Sequence, residues 1–140
     1  MNRTIKFRGK RIDNGEWVYG SLDLTANSAA ISWDRIDNDG DTVPWFANVD
    51  PASVGQFTGL LDKNGKEIYE GDIITVSGRY PRVALWDKMM WALMPTEYYH
   101  DAYFWVMNLQ HPRPDWWEEF SDEFEIIGNI HDNPELLKEK

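Results

Sequence analysis

Leu61-Asp62-Lys63-Asn64-Gly65-Lys66-Glu67-Ile68 sets an Asn-Gly pair between two apolar ends. That dipeptide supplies the two left-handed backbone positions a tight hairpin turn needs, so the flanking residues are expected to run as antiparallel strands. The device recurs at Ile12-Asp13-Asn14-Gly15-Glu16-Trp17. Beyond it Trp17, Tyr19 and Ser21 alternate with Val18, Gly20 and Leu22, the period of a half-buried strand. Two Asn-Gly turns in one short chain point to antiparallel β structure.

Outward from these turns the same chemistry continues. Gly71-Asp72 reads as a structural turn, with Gly permitting a positive φ and Asp bonding the turn backbone. Strands are expected at Ile73–Val76, Arg82–Asp87, Tyr103–Met107 and Phe124–Ile130, where β-branched and aromatic residues concentrate. Asp50-Pro51-Ala52-Ser53 suits a capped single helical turn, and Asn133-Pro134 suits the start of a short helix over 133–140. Residues 34–42 read as an acidic, turn-rich loop. The expected fold is therefore mainly β: a small SH3-like barrel from Ile68 to Ile130, with additional N-terminal hairpin strands and a short C-terminal helix. An OB-type barrel fits the same pattern. The expected organisation is a single domain over 1–140, with an N-terminal lobe at 1–48 and a barrel lobe at 49–140.

Composition narrows the functions. Without cysteine, disulfides, thiolate metal sites and cysteine nucleophiles are excluded. No apolar run approaches the ~18 residues of a membrane span, and a cytoplasmic location is expected. The net charge of −10 repels a phosphate backbone and argues against general nucleic-acid binding. Charge is also uneven: Arg3, Lys6, Arg8, Lys10 and Arg11 form a basic head, whereas residues 113–140 are acidic.

No catalytic, cofactor or metal residue is nominated. Asp37, Asp39, Gly40 and Asp41 invite a calcium reading, but aligning Gly40 with the glycine of an EF-hand loop puts Arg35 and Phe46 where oxygen ligands belong. His100, His111 and His131 lack metal-site spacing. Glu118-Glu119 and Asp122-Glu123 are neighbours on an acidic run, not two carboxyls set across a cleft. The aromatic residues of 86–120 are the remaining signal. Core packing claims part of them; Trp91, Tyr98, Tyr99, Trp116 and Trp117 are the candidate partner-binding residues, being large aromatics among charges.

Three blocks carry a family resemblance: Ile5–Arg11 with Gly15–Leu22, Val54–Leu60 running into Asp62–Ile73, and Ile127–Leu137. Together they resemble the YopX family of small phage and prophage proteins. Residues 26–48 and 88–120 lie outside the likeness. The resemblance implies a mostly β fold containing an SH3-like barrel, a phage or prophage origin and self-association, and it implies no activity. The expected function is a non-enzymatic accessory protein acting through protein–protein contacts, as a homo-oligomer and with a host protein as a further partner. The competing reading is a nucleic-acid-associated SH3-like or OB-like barrel, supported by the basic head and opposed by the overall charge.

Overall fold

The computed structural model describes residues 4–87, 90–96 and 121–137. The expected strand at Tyr103–Met107 lies outside them. The chain divides into two compact units, 1–57 and 58–140. The protein is mainly β. Its strands lie in two antiparallel sheets, and among the described residues neither closes into the expected barrel.

The first unit contains β1 (Phe7–Lys10), β2 (Trp17–Leu24), β3 (Ala29–Ile36), β4 (Thr42–Val49), a 3-10 turn at Pro51–Ser53 and the start of β5 (Gly55–Leu61). These strands lie in the order β4-β3-β2-β1-β5. Asp50 caps the 3-10 turn as its sequence predicts, accepting the Ala52 N–H at 3.0 Å. Gly55 and Gln56 pair with Arg8 and Phe7, which ties the turn and the start of β5 to the first unit. The sheet curls until its last strand returns to its first. Arg11 bridges Val49, the Ile12 N–H donates to the Asn48 carbonyl at 3.1 Å, and the Asp50 N–H donates to the Lys10 carbonyl at 2.8 Å. The curl stops at that contact, so the strands enclose a core without forming a full ladder. Ala29, Ile31 and Val49 are buried there against Phe7, Val18, Leu22, Trp33 and Val54. Gly9 lets the two ends meet: a Cβ at that position would sit 2.8 Å from a Val49 methyl.

The second unit carries β6 (Glu67–Tyr69), β7 (Asp72–Val76), β8 (Arg79–Asp87), β9 (Met90–Pro95) and β10 (Phe124–Asn129), with 3-10 turns at Ser121–Glu123 and Pro134–Leu137. Its four-stranded sheet has the order β10-β7-β8-β9, and the outer strands β9 and β10 do not pair with each other among the described residues. Alternation along the strands makes both faces apolar. Ile74, Ala84, Leu93 and Phe124 join Ile68 on one side. Ile73, Val83, Leu85 and Met94 meet Leu137 on the other. Leu137 belongs to the 3-10 turn Pro134–Leu137, which occupies the described part of the short helix expected over 133–140. The preceding backbone is tightly bonded: Asn129 Oδ1 accepts the N–H groups of His131 and Asp132, and Asn133 Oδ1 accepts that of Asn129. This turn sets the direction in which the chain leaves β10.

The two Asn-Gly segments do form hairpins, but not with the expected turn. Gly15 and Gly65 have φ of +73° and +79°, while Asn14 and Asn64 are not left-handed. At 62–66 the Gly65 N–H donates to the Asp62 carbonyl and the Asp62 N–H to that of Lys66, a three-residue loop that needs one positive φ. The turn with two left-handed residues is Ser77-Gly78, at +54° and +74°, which links β7 to β8 with Val76 opposite Arg79.

Asp62 is the node of the second unit. Its Oδ1 accepts the Asn64 and Lys66 N–H groups at 2.8 and 3.0 Å, and its Oδ2 accepts the Ile126 N–H of β10 at 3.1 Å. Beside it the Lys63 N–H donates to the Phe124 carbonyl at 2.8 Å. The Lys63 ammonium meets Glu125 at 2.7 Å. Burial pushes the Asp62 carboxyl up, but the N–H donors of Ile126, Lys66 and Asn64, with the Lys66 charge, outweigh it and hold its pKa below the usual value. Gly71-Asp72 is a structural turn as expected, with Gly71 at φ +92° and Asp72 accepting the Tyr69 N–H at 2.7 Å.

Two predictions follow from these turns. Gly65→Val should lower stability by more than about 1 kcal/mol, because a β-branched residue adopts positive φ only under strain; equal denaturant midpoints for variant and wild type would contradict the turn assignment. Asp62→Asn points an amide or loses an acceptor at the Ile126 N–H and should cost about 1–3 kcal/mol near neutral pH. A carboxyl with a depressed folded pKa stabilises above its unfolded pKa and loses that contribution as pH falls through the folded one. The gap between wild type and Asp62→Asn should therefore be constant above about pH 5 and shrink below about pH 4, in melts run across that range.

Candidate interaction surface

β3 is paired with β4 along its whole length, from Ala29 opposite Val49 to Ile36 opposite Thr42. Its pairing with β2 is shorter and ends at Ser32 opposite Ser21. Beyond that point β2 turns to β1, where Gly20 stands opposite Phe7. The crossing is close enough that a Cβ on Gly20 would collide with the Ser32 carbonyl. Trp33–Ile36 and Thr42–Trp45 consequently form, among the described residues, a two-stranded ribbon extending past β2, with Phe46 at its base opposite Ser32.

The ribbon ends in Asp37-Asn38-Asp39-Gly40-Asp41. The Asp37 N–H donates to the Asp41 carbonyl at 2.9 Å, the Gly40 N–H donates to the Asp37 carbonyl at 3.1 Å, and Asp37 Oδ1 accepts the N–H groups of Asp39 and Asp41, both at 2.9 Å. This is the bonding pattern of 62–66 repeated, with Gly40 at φ +83°. The segment read as an acidic loop is thus a hairpin turn, and its first carboxylate is engaged by its own backbone. Among the described residues no group of three or more His, Asp or Glu side chains is placed to hold a metal ion.

Aromatic residues line the ribbon. Trp33 stands directly opposite Trp45, and the Arg35 guanidinium lies 4.3 Å from the centre of the Trp45 ring, a cation–π contact. On the other face Ile36 and Phe46 are each 66% exposed, while Trp45 is 45% exposed. The outer edge of β4 is blunted. Antiparallel backbone groups alternate in direction; the Asn48 carbonyl points outward to Ile12, so Pro44 and Phe46 share its outward parity. Pro44 has no N–H to offer, which weakens strand addition at the middle of this edge.

The basic head is differently disposed. Arg8 and Lys10 both lie over the ring of Trp17, at 4.5 and 5.8 Å, and Arg8 is only 5% exposed. Arg11 meets Asp13 at 2.7 Å, and that hydrogen bond, reinforced by its charge, holds the Asp13 carboxyl below its usual pKa.

Of the residues nominated from sequence, Trp91 lies in β9 with its backbone opposite Trp86. Its side chain lies outside the described residues, as do Tyr98, Tyr99, Trp116 and Trp117. The ribbon was not nominated, although its signal was present. Ala29, Ile31 and Trp33 alternate with Ala30, Ser32 and Asp34, and Val43, Trp45, Ala47 and Val49 do the same, on either side of an Asp-Gly pair.

These features define a two-unit, antiparallel β protein. The sequence matches the family described as YopX protein over residues 6–138, and the chain belongs to that family. No curated protein matches it. Among solved structures it is similar to protein EF1440 from Enterococcus faecalis, at 23% identity and a TM-score of 0.59, covering 98% of this chain and 100% of that one. At that identity the likeness concerns the fold alone.

Proposed function

We propose that this chain is a non-enzymatic phage or prophage accessory protein, working in the cytoplasm through protein–protein contacts and associating with copies of itself. The observation that carries this reading is the ribbon: Trp45, Phe46 and Ile36 are held exposed on paired backbone rather than on a loose loop. Large side chains presented on an ordered scaffold lose little entropy when a partner covers them, which is what an interface anchor requires. Leu24, Tyr19 and Leu61 add further exposed apolar area. The phage setting and self-association are what the resemblance to the YopX family implies. No helix among the described residues is long and apolar enough to cross a membrane. We read the second unit as an SH3-like arrangement of short strands, on the support of its tight β7–β8 turn and its two apolar sheet faces.

A second reading, association with nucleic acid, draws on the basic and aromatic residues Arg8, Lys10 and Trp17. It is the weaker of the two, because these cations are already stacked and the chain carries a net charge of −10.

Light scattering coupled to size exclusion at low micromolar protein tests self-association: a mass at a multiple of 16.4 kDa is expected, and a clean monomer would refute it. A gel shift with duplex DNA at ~150 mM salt should show no submicromolar binding.

A further inference from the structure

We infer that the ribbon formed by residues 33–46 docks on a foreign protein whose surface is apolar at its centre and cationic at its rim. This deepens the interaction reading above and rests on it. The β4 edge of the ribbon is blunted at Pro44, so recognition there runs through side chains and not through an added strand. One face of the ribbon carries Ile36 and Phe46 with the carboxylate of Asp34, the other carries Trp45 with the single guanidinium of Arg35, and Asp37, Asp39 and Asp41 stand in the turn that joins the strands. That guanidinium is seated on Trp45. The ribbon therefore offers apolar area next to a net negative end.

That combination selects among occupants. A second copy docking ribbon to ribbon would bring four carboxylates towards four others. Nucleic acid and anionic lipid would be repelled by the same groups. A cationic protein surface is attracted, and because screening confines exposed charges to about 8 Å at physiological salt, the carboxylates orient a partner already close by. The aromatic residues supply most of the affinity.

The test uses the full chain and two 12-residue probe peptides, one alternating lysine with leucine and one alternating glutamate with leucine. Binding is followed by calorimetry at ~150 mM salt. The lysine peptide should bind and the glutamate peptide should not. Trp45→Ala with Phe46→Ala should weaken binding by about tenfold or more, and Asp34→Asn with Asp39→Asn and Asp41→Asn by about threefold or more. The control Ile127→Ala, at an exposed site in the second unit, should leave it unchanged. If the Trp45 change unfolds the chain, Phe46→Ser alone carries the test, since Phe46 is exposed. Equal affinity in wild type and ribbon variants would overturn the inference, as would no binding of the lysine peptide or equal binding of the two peptides. A photo-reactive benzoylphenylalanine at position 46, activated in the host cell, supplies the second arm. Crosslinks to a foreign protein whose purified form loses affinity for the Phe46→Ser chain support the inference; crosslinks only to a second copy overturn it. Light scattering on the same variants separates the two readings: an assembly that persists while the peptides fail leaves self-association standing and removes only the partner assigned here.

Discussion

One carboxylate holds the second unit together. Asp62 stands at the start of a hairpin turn, and its two oxygens serve separate tasks: one fixes the turn, the other reaches a strand 64 residues further along. A neutral side chain of the same shape cannot accept at all three N–H groups, because its nitrogen is a donor. The turn is therefore more than a connection between β5 and β6. It fixes where β10 enters the sheet, and through Phe124 and Glu125 it adds a backbone bond and an ion pair to the same junction. Both apolar faces of the sheet depend on β10 and the terminal turn being in place, since Phe124 fills one and Leu137 the other.

The first unit is organised by a different constraint, the approach of backbones with no room for a side chain. Gly9 admits Val49, and Gly20 admits the carbonyl of Ser32. The first closes the curl around a small core; the second lets β2 pass from β3 to β1 and leaves the end of the β3–β4 hairpin without a third strand among the described residues. The ribbon is thus a by-product of how the sheet curls. The diverted strand leaves the backbone edge of Trp33–Ile36 beyond the reach of β2, while the aromatic side chains stand on the two faces of the ribbon.

Much of this was legible from residue order alone. The hairpins at Gly15 and Gly65, the strands around Ile73 and Phe124, the cap at Asp50 and the turn at Gly71-Asp72 follow from local chemistry. The missed parts have identifiable causes. Asn-Gly suggested a turn with two left-handed residues, yet the Asx bonds made by Asp62 favour the longer loop with one, and the two-residue form fell to Ser77-Gly78. The density of aspartates at 34–41 hid the period-two alternation on either side of it, and β4 accommodates Pro44 at an outward-facing edge position. Barrel closure was inferred from strand spacing, a local quantity, whereas closure depends on which distant edges meet. The side chains of the nominated aromatic residues, Trp91, Tyr98, Tyr99, Trp116 and Trp117, lie outside the described residues.

The reach of Asp62 to Ile126 has a consequence for synthesis. The ladder β1-β2-β3-β4 grows in chain order, so the first unit can pair as it emerges. The second cannot: β7 receives β8 almost at once, but its other neighbour, β10, is translated last among the strands described. At roughly 5–20 residues per second, the interval between Asp62 and Ile126 leaving the ribosome is on the order of 3–13 s. During that interval one edge of β7 and the pocket awaiting Phe124 stay open, a nascent surface fit for chaperones and exposed to proteases. The node that secures the finished fold is also the last to be tied.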